Sequence, residues 1–229
     1  MKKKSSKRYK KIFEGAQNSK PDIFDEQIKK VKKNCNVKFD ESIDVSLNLN
    51  LKRKKEEVSL RTVVNLPNGS GKKVKVAVLC EDSKINEAKE SGAEVYGSEN
   101  LINDITNGKI NFDKLVSTTA MMSKLGKLGK ILGPKGLMPN PKLGTVTNDI
   151  KNSVKAIKTG QIEVKNDKDG NLGVSIGKKS FPDKKIKENF EALIQTILKE
   201  KPSGVKGEFI LSAFLTSTMG ISYKLKLKA

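Results

Sequence analysis

Few residues in this chain could carry chemistry, and the first exclusion comes from what is missing. There is no histidine anywhere, so the commonest general base and the commonest metal ligand are both absent. The two cysteines, Cys35 and Cys80, lie far apart, form no C-x-x-C pair and cannot build a zinc site without other ligands. Both read as reduced, core-facing thiols. Gly69-Ser-Gly-Lys-Lys73 tempts a nucleotide reading, but the phosphate loop G-x-x-x-x-G-K-[ST] needs a glycine at 66 and a hydroxyl at 73, where this chain has Leu66 and Lys73. No catalytic residue, cofactor or metal is expected.

Two other stretches have the composition for binding. Lys124-Leu-Gly-Lys-Leu-Gly-Lys-Ile-Leu-Gly-Pro-Lys-Gly-Leu-Met-Pro-Asn-Pro-Lys-Leu-Gly144 concentrates glycine, proline and lysine. From Lys114 to Asn148 there are six lysines and no acid, an unopposed positive field. The glycines and prolines predict a built loop through which neither helix nor central strand runs. The interleaved Leu125, Leu128, Ile131, Leu132, Leu137 and Met138 predict that it packs on a scaffold, as a phosphate-holding surface or as a structural cap. Near the C-terminus, Thr216-Ser-Thr-Met-Gly220 offers three adjacent hydroxyls, an adaptable thioether and a glycine permitting close approach. Structured RNA is read through backbone and ribose hydroxyls by such groups, although a hydroxyl run also satisfies turns.

The charge balance favours the RNA reading. Forty-six Lys and Arg against twenty-six Asp and Glu in 229 residues give +20 and a pI near 9.8, which predicts a polyanionic partner. No apolar run approaches the roughly 18 residues of a membrane span, and the lysine-rich start is not followed by a secretory apolar region, so an intracellular protein with no membrane partner is expected. With no Trp and eleven Phe and Tyr, a broad stacking platform for single strands is not evident.

The elements that must position these residues follow from periodicity. Tyr9, Ile12 and Phe13 predict a short basic helix docked by its apolar edge; the lysines before it read as a nonspecific electrostatic arm. Pro21 opens a helix with Ile23, Phe24, Ile28, Val31 and Cys35 on one face. Strict alternation from Ile43 to Leu51 predicts a half-buried strand. A charged connector, Lys52 to Glu57, leads to a strand over Leu60–Leu66, and Pro67-Asn-Gly-Ser-Gly71 reads as a flexible crossing. Short strands at 74–79, 93–96 and 115–118 then alternate with helices at 83–91 and 99–107, and a helix from about 148 stops at Gly160. Strands 162–165 and 172–176 read as a β-hairpin around Gly170. An amphipathic helix over 182–199 carries Ile186, Phe190, Leu193, Ile194, Ile197 and Leu198. Alternation through Phe209, Leu211, Ala213 and Leu215, and through Tyr223, Leu225 and Leu227, predicts two final strands.

Read from this pattern, the fold class is α+β in two domains, most economically one split α+β domain from residues 1–67 and 160–229 with an α/β domain inserted over 68–159 and the two crossings as a hinge.

The run Gly129-Lys-Ile-Leu-Gly-Pro-Lys-Gly-Leu-Met-Pro-Asn-Pro-Lys142, with Gly144-Thr-Val-Thr147, closely resembles the signature of the L-one family of large-subunit ribosomal proteins, those of the mobile lateral stalk. The resemblance continues in family order at Lys38-Phe-Asp-Glu-Ser-Ile-Asp-Val45, Gly160-Gln-Ile-Glu163, Asp167-Lys-Asp-Gly-Asn171, Gly177-Lys-Lys-Ser-Phe181, Glu188-Asn-Phe190 and Thr216-Ser-Thr-Met-Gly220. It departs at Ile221, where the family has proline, and at Thr118-Thr-Ala-Met121, where the family more often reads Thr-Pro-Asp-Met.

The resemblance implies that the two ends join in this split organisation, an α+β sandwich with an inserted three-layer α/β (Rossmann-like) domain. It also implies a non-enzymatic, ribosome-bound protein, cytoplasmic or organellar and monomeric off the ribosome. It implies that Lys38 meets phosphate and Phe39 a ribose or base, although a phenylalanine there also fits a core. Ser212, Thr216, Ser217, Thr218, Met219 and Gly220 would be hydrogen-bonding or close-approach positions on the ribosomal-RNA (rRNA) stalk hairpin, with Glu163, Lys165, Asp167 and Lys178 as further contacts. Lys124, Lys127, Lys130, Lys135 and Lys142 would face E-site tRNA, and the split domain would also bind the messenger of its own operon as a repressor. The competing reading is a nucleotide-dependent RNA-processing factor that uses the α/β domain.

Overall fold

The computed structural model describes residues 6–16, 21–51, 60–202, 205 and 207–226. The Lys52–Glu57 connector, Leu227 and the first five residues lie outside them. The chain divides into two compact units, Met1–Gly71 with Glu163–Ala229, and Lys72–Ile162.

In the first unit, α1 (Lys7–Ala16) and α2 (Phe24–Lys33) precede β1 (Ser42–Leu49) and β2 (Arg61–Asn65). The chain returns through β6 (Gln161–Lys165), β7 (Asn171–Lys178), α8 (Asp183–Lys199), β8 (Ile210–Ser217) and β9 (Tyr223–Leu225). A four-stranded antiparallel sheet runs β7-β1-β8-β9, with β2 and β6 forming a separate ribbon. Alternation in β1 buries Ile43, Val45, Leu47 and Leu49, and α2 packs on the neighbouring strands β8 and β9 and α8 on β7. Those helices meet through stacked Phe24 and Phe190 rings 4.5 Å apart. Ser46, Asn48, Ser212, Thr216 and Gly173 take the alternate positions on the other face.

The second unit is a parallel three-stranded sheet, order β4-β3-β5, built from β3 (Val76–Leu79), β4 (Val95–Gly97) and β5 (Lys114–Ser117). All four residues of β3 are buried, as expected of a strand covered on both faces. One cluster joins Ala77, Leu79 and Leu115 to α4 (Glu99–Thr106), α5 (Met122–Gly126) and α6 (Gly129–Leu132). The other joins Val76, Val78 and Val116 to α3 (Ile85–Glu90) and α7 (Ile150–Thr159).

Five sequence expectations need correction. The stretch expected to exclude helix begins with two short ones, α5 and α6; no proline falls between Met122 and Leu132, and burial of Leu125, Leu128 and Leu132 outweighs the glycine penalty. Strands β6 and β7 do not form a hairpin. The Asp167 carboxylate accepts from the amides of Asp169 (2.9 Å) and Asn171 (2.7 Å), closing a turn that sends β7 to β1. Gly170 is required in that turn: its φ is +80° and a Cβ would lie 2.8 Å from the Leu49 carbonyl oxygen. Leu211 is 54% exposed because the β1–β8 register slips between Asn48 and Leu49, and this bulge turns the expected alternation over. Ile23 caps α2 and is exposed, and Leu198 at the end of α8 is exposed. The crossing at 67–71 is fastened to the first unit: buried Asn189 donates to the carbonyls of Gly69 (2.9 Å) and Ile176 (2.8 Å) and accepts from the Asn68 amide (3.1 Å).

Candidate nucleic-acid interface

At one end of the four-stranded sheet, β8 runs into the hydroxyl segment directly beside the start of β1. Ile43 pairs with Ser217, and one step further the Thr218 amide donates to the Ser42 carbonyl at 3.1 Å. The Ser42 amide donates to Thr218 Oγ1 at 3.0 Å. Thr218 therefore extends the ladder by a side chain, which keeps its hydroxyl at the rim. Ser42 also pairs with Lys178 of β7, whose ammonium donates to Ser42 Oγ at 2.9 Å. Residues 38–42, Lys178 and 216–220, distant in sequence, thus form one rim.

Met219 is held from inside. Its amide donates to Glu41 Oε2 at 3.1 Å and its carbonyl accepts from Arg8 Nη2 at 2.6 Å, while 47% of the residue remains exposed. Glu41 is fully buried. Gly220 bends the chain back, donating to the Ser217 carbonyl at 3.1 Å, and a Cβ there would lie 2.4 Å from Ser217 Oγ. The close approach that favours glycine is therefore an internal one. Ile221, where proline was the family expectation, is a buried core residue.

Phe39 is not core; it is 52% exposed on the bend between α2 and β1, beside exposed Lys38. Asp40 fixes that bend by accepting from the Ser180 amide (3.1 Å) and hydroxyl (2.7 Å). Ser217 is buried. It neighbours the Cys35 thiol, which burial first and the Glu41 carboxylate after it push up in pKa, so Cys35 is a poor nucleophile. Ser212 and Thr216 are partly exposed on the open sheet face, and Thr216 donates to the Ser217 carbonyl at 3.3 Å.

The remaining expected contacts lie apart from this rim. Glu163 on β6 accepts from Arg61 Nε at 2.7 Å. Lys165 and Asp167 border a shallow cavity of about 480 Å³ with Ser46, Asn166, Asn171 and Gly173. Hydrogen bonds to Asp167, first from the Asn171 amide, hold its carboxyl below the usual aspartate range. In the second unit the lysine field is not wholly unopposed. Lys124 pairs with Glu99 at 2.7 Å, a bond that raises its pKa, whereas Lys127, Lys130, Lys135 and Lys142 are exposed without an ion pair among the described residues. The loop beyond Gly133 is ordered: Asn140 accepts from the Lys142 amide, and β5 is tied to it through Ser117 N–H to the Thr145 carbonyl at 2.9 Å.

Sequence reasoning passed over Arg8, Glu41 and Ser42. Glu41 and Ser42 sit inside the Lys38–Val45 motif, so the motif pointed at them without separating buried from exposed members. Nothing in sequence distinguishes Arg8 from its neighbouring cations. Residues 69–73 run into β3 with no helix at their end, which leaves the nucleotide alternative without a phosphate site. Among the described residues no three His, Cys, Asp or Glu side chains gather as a metal site, and no helix is long and apolar enough to cross a membrane.

Residues 31–221 match the Ribosomal protein L1p/L10e family. The chain is 56% identical over 223 residues to the "Large ribosomal subunit protein uL1" of Pelagibacter ubique, covering 97% of each chain. It is 44% identical to the protein of that name in Rickettsia akari, covering 95% of this chain and 92% of the other. It is also 45% identical to "Large ribosomal subunit protein uL1c" of Phaeodactylum tricornutum, covering 98% of each. Family model and coverage agree, and the chain belongs to the Ribosomal protein L1p/L10e family as a structural, non-enzymatic component of the large ribosomal subunit.

Proposed function

We propose that this protein binds rRNA of the large subunit directly through the rim of its first unit, as a constituent of the mobile stalk. The observation that carries the reading is the mutual bonding of Ser42 and Thr218, with Lys178 on Ser42. It gathers a cation, hydroxyls, exposed Phe39 and exposed Met219 on one edge. Hydroxyls, backbone groups and a few apolar contacts are what an A-form helix or stem-loop accepts through riboses and phosphates. Lys38, Phe39, Thr216, Thr218, Met219 and Gly220 are assigned to this surface, and Ser212 to the open sheet face that continues from it. Ser217, being buried, supports it from beneath. Lys178 joins the surface through Ser42, and Glu163, Lys165 and Asp167 are assigned as further contacts outside the rim.

The two compact units serve as the two expected domains: a split α+β sandwich that grips RNA, and an inserted three-layer α/β domain that swings with the stalk. In the second, Lys127, Lys130, Lys135 and Lys142, with Lys124 weakened by Glu99, contact departing E-site tRNA. The first unit also represses translation by binding an own-operon messenger that mimics the ribosomal site. Ribosomes of cytoplasm or organelle both suit this role.

Competition binding at physiological salt tests the surface, with wild type and Met219→Ala against a large-subunit stalk RNA and a scrambled RNA. A preference for stalk RNA that drops in the variant, with circular dichroism unchanged, is expected. Equal binding of both RNAs by both proteins would leave charge alone at work and remove the assignment. Deleting residues 68–159 should slow E-site tRNA release and leave stalk-RNA binding intact; unchanged release would end the tRNA reading. A free protein with no preference for its own messenger would end the repressor reading.

A further inference from the structure

The Arg8–Met219 bond joins the N-terminal helix to the rim, and α1 has a surface that this fold does not use. At 3.6 residues per turn, Arg8 and Ile12 fall on one side of α1. That side is its seat: Ile12 is buried and Arg8 Nη2 donates to the Met219 carbonyl at 2.6 Å. Tyr9 and Phe13 lie on one flank with rings stacked at 6.2 Å, and both remain substantially exposed. Lys7, Lys10 and Lys11 share the opposite flank, exposed and without an ion pair among the described residues. The helix is thus locked at its seat while its cations and aromatics flank the Met219 loop.

We propose that α1 is a second wall of the RNA surface, its Lys7, Lys10 and Lys11 flank taking backbone phosphates of the same RNA that meets Met219. This rests on the rRNA-binding reading of the rim. Charge complementarity selects the occupant: three unneutralised ammonium groups on about one and a half turns suit a polyanion, and continuity with the rim through Arg8 selects the polyanion already there. The three cations of α1 are carried on a helix fixed at its seat, so their phosphate contacts add to specific binding with a defined geometry.

The test is the salt dependence of stalk-RNA binding for the full chain. Three proteins are compared: wild type, the Lys7→Gln/Lys10→Gln/Lys11→Gln variant, and a control with Lys33→Gln/Lys184→Gln/Lys199→Gln, three exposed lysines of α2 and α8 on the covered side of the sheet. Each lost phosphate contact lowers the slope of log K against log salt by about 0.7–0.9, so the α1 variant should lose roughly 2–3 from the slope while keeping its preference over scrambled RNA. The control should keep the wild-type slope. An α1 variant with the wild-type slope, or one matched by the control, overturns the proposal. Met219→Ala, measured alongside, reports on the rim by its RNA preference rather than by slope, so the two readings fail separately.

Discussion

The Met219 amide donates to Glu41, a carboxylate with no solvent exposure, at 3.1 Å. An exposed loop residue is therefore positioned by a buried acid. Glu41→Ala leaves the amide without its acceptor and should cost about 1–3 kcal/mol of stability, with loss of preference for stalk RNA. Glu41→Gln keeps an acceptor oxygen at the same place and should retain most of both. Urea unfolding and competition binding together check this; a Glu41→Gln variant as damaged as Glu41→Ala would show that the charge, not the hydrogen bond, does the positioning.

Gly220 and Ser217 form a testable pair. Gly220→Ala places a Cβ 2.4 Å from Ser217 Oγ, but its next neighbour, Ser217 Cβ, is at 3.6 Å, an ordinary contact. The single variant should be destabilised by about 1–3 kcal/mol through overpacking, and adding Ser217→Ala should recover much of that loss. A double-mutant cycle with no coupling would mean that the loop moves instead.

The buried Asn189 side chain ties the crossing segment to β7 with three hydrogen bonds, two to Asn68 and Gly69 and one to Ile176. Asn189→Ala should lower stability by roughly 2–4 kcal/mol, since it strands Gly69 and Ile176 carbonyls and the Asn68 amide. Hydrogen exchange at Asn68 should speed up more than at the β1 amides. Uniform acceleration would mean global destabilisation without local release.

Asp167 links the 166–171 turn to pH. Hydrogen bonds from Asn171 foremost depress its folded pKa. The unfolded chain thus binds the proton more tightly, and the stabilisation is present above the ordinary aspartate pKa and lost as pH falls through the depressed value. Asp167→Asn should flatten this acid limb. Following the Asn171 amide resonance during acid titration checks it; a titration in the usual aspartate range would refute the depression.

Elements set by periodicity were legible in the sequence. The alternation of β1 and most of the α2 face and the α8 stripe appear as read, because each depends on residues adjacent in the chain. Partner choice was not legible. The Gly170 turn looked like a hairpin because turn chemistry is local, whereas Leu172, Val174 and Ile176 pack by joining β1 rather than β6. The Leu211 bulge and the helices at Leu125 and Leu132 were hidden for the same reason: tertiary burial overrode local composition. At the rim, hydroxyls and Phe39 were visible as residue types, but the acid and guanidinium that aim Met219 resembled any other surface charges.

The central strand β1 has both of its partners far downstream: Asn48 meets Asn171 across 123 residues, and Ser42 meets Thr218 across 176. During synthesis, β1 leaves the ribosome long before either neighbour exists, whereas every strand of the parallel sheet is complete by Ser117. The Ser42–Thr218 edge consequently comes into being only after β8 and the segment beyond it have been made. A chain that stops short of Thr218 has no partner for Ser42 at this edge, whatever the state of its parallel sheet.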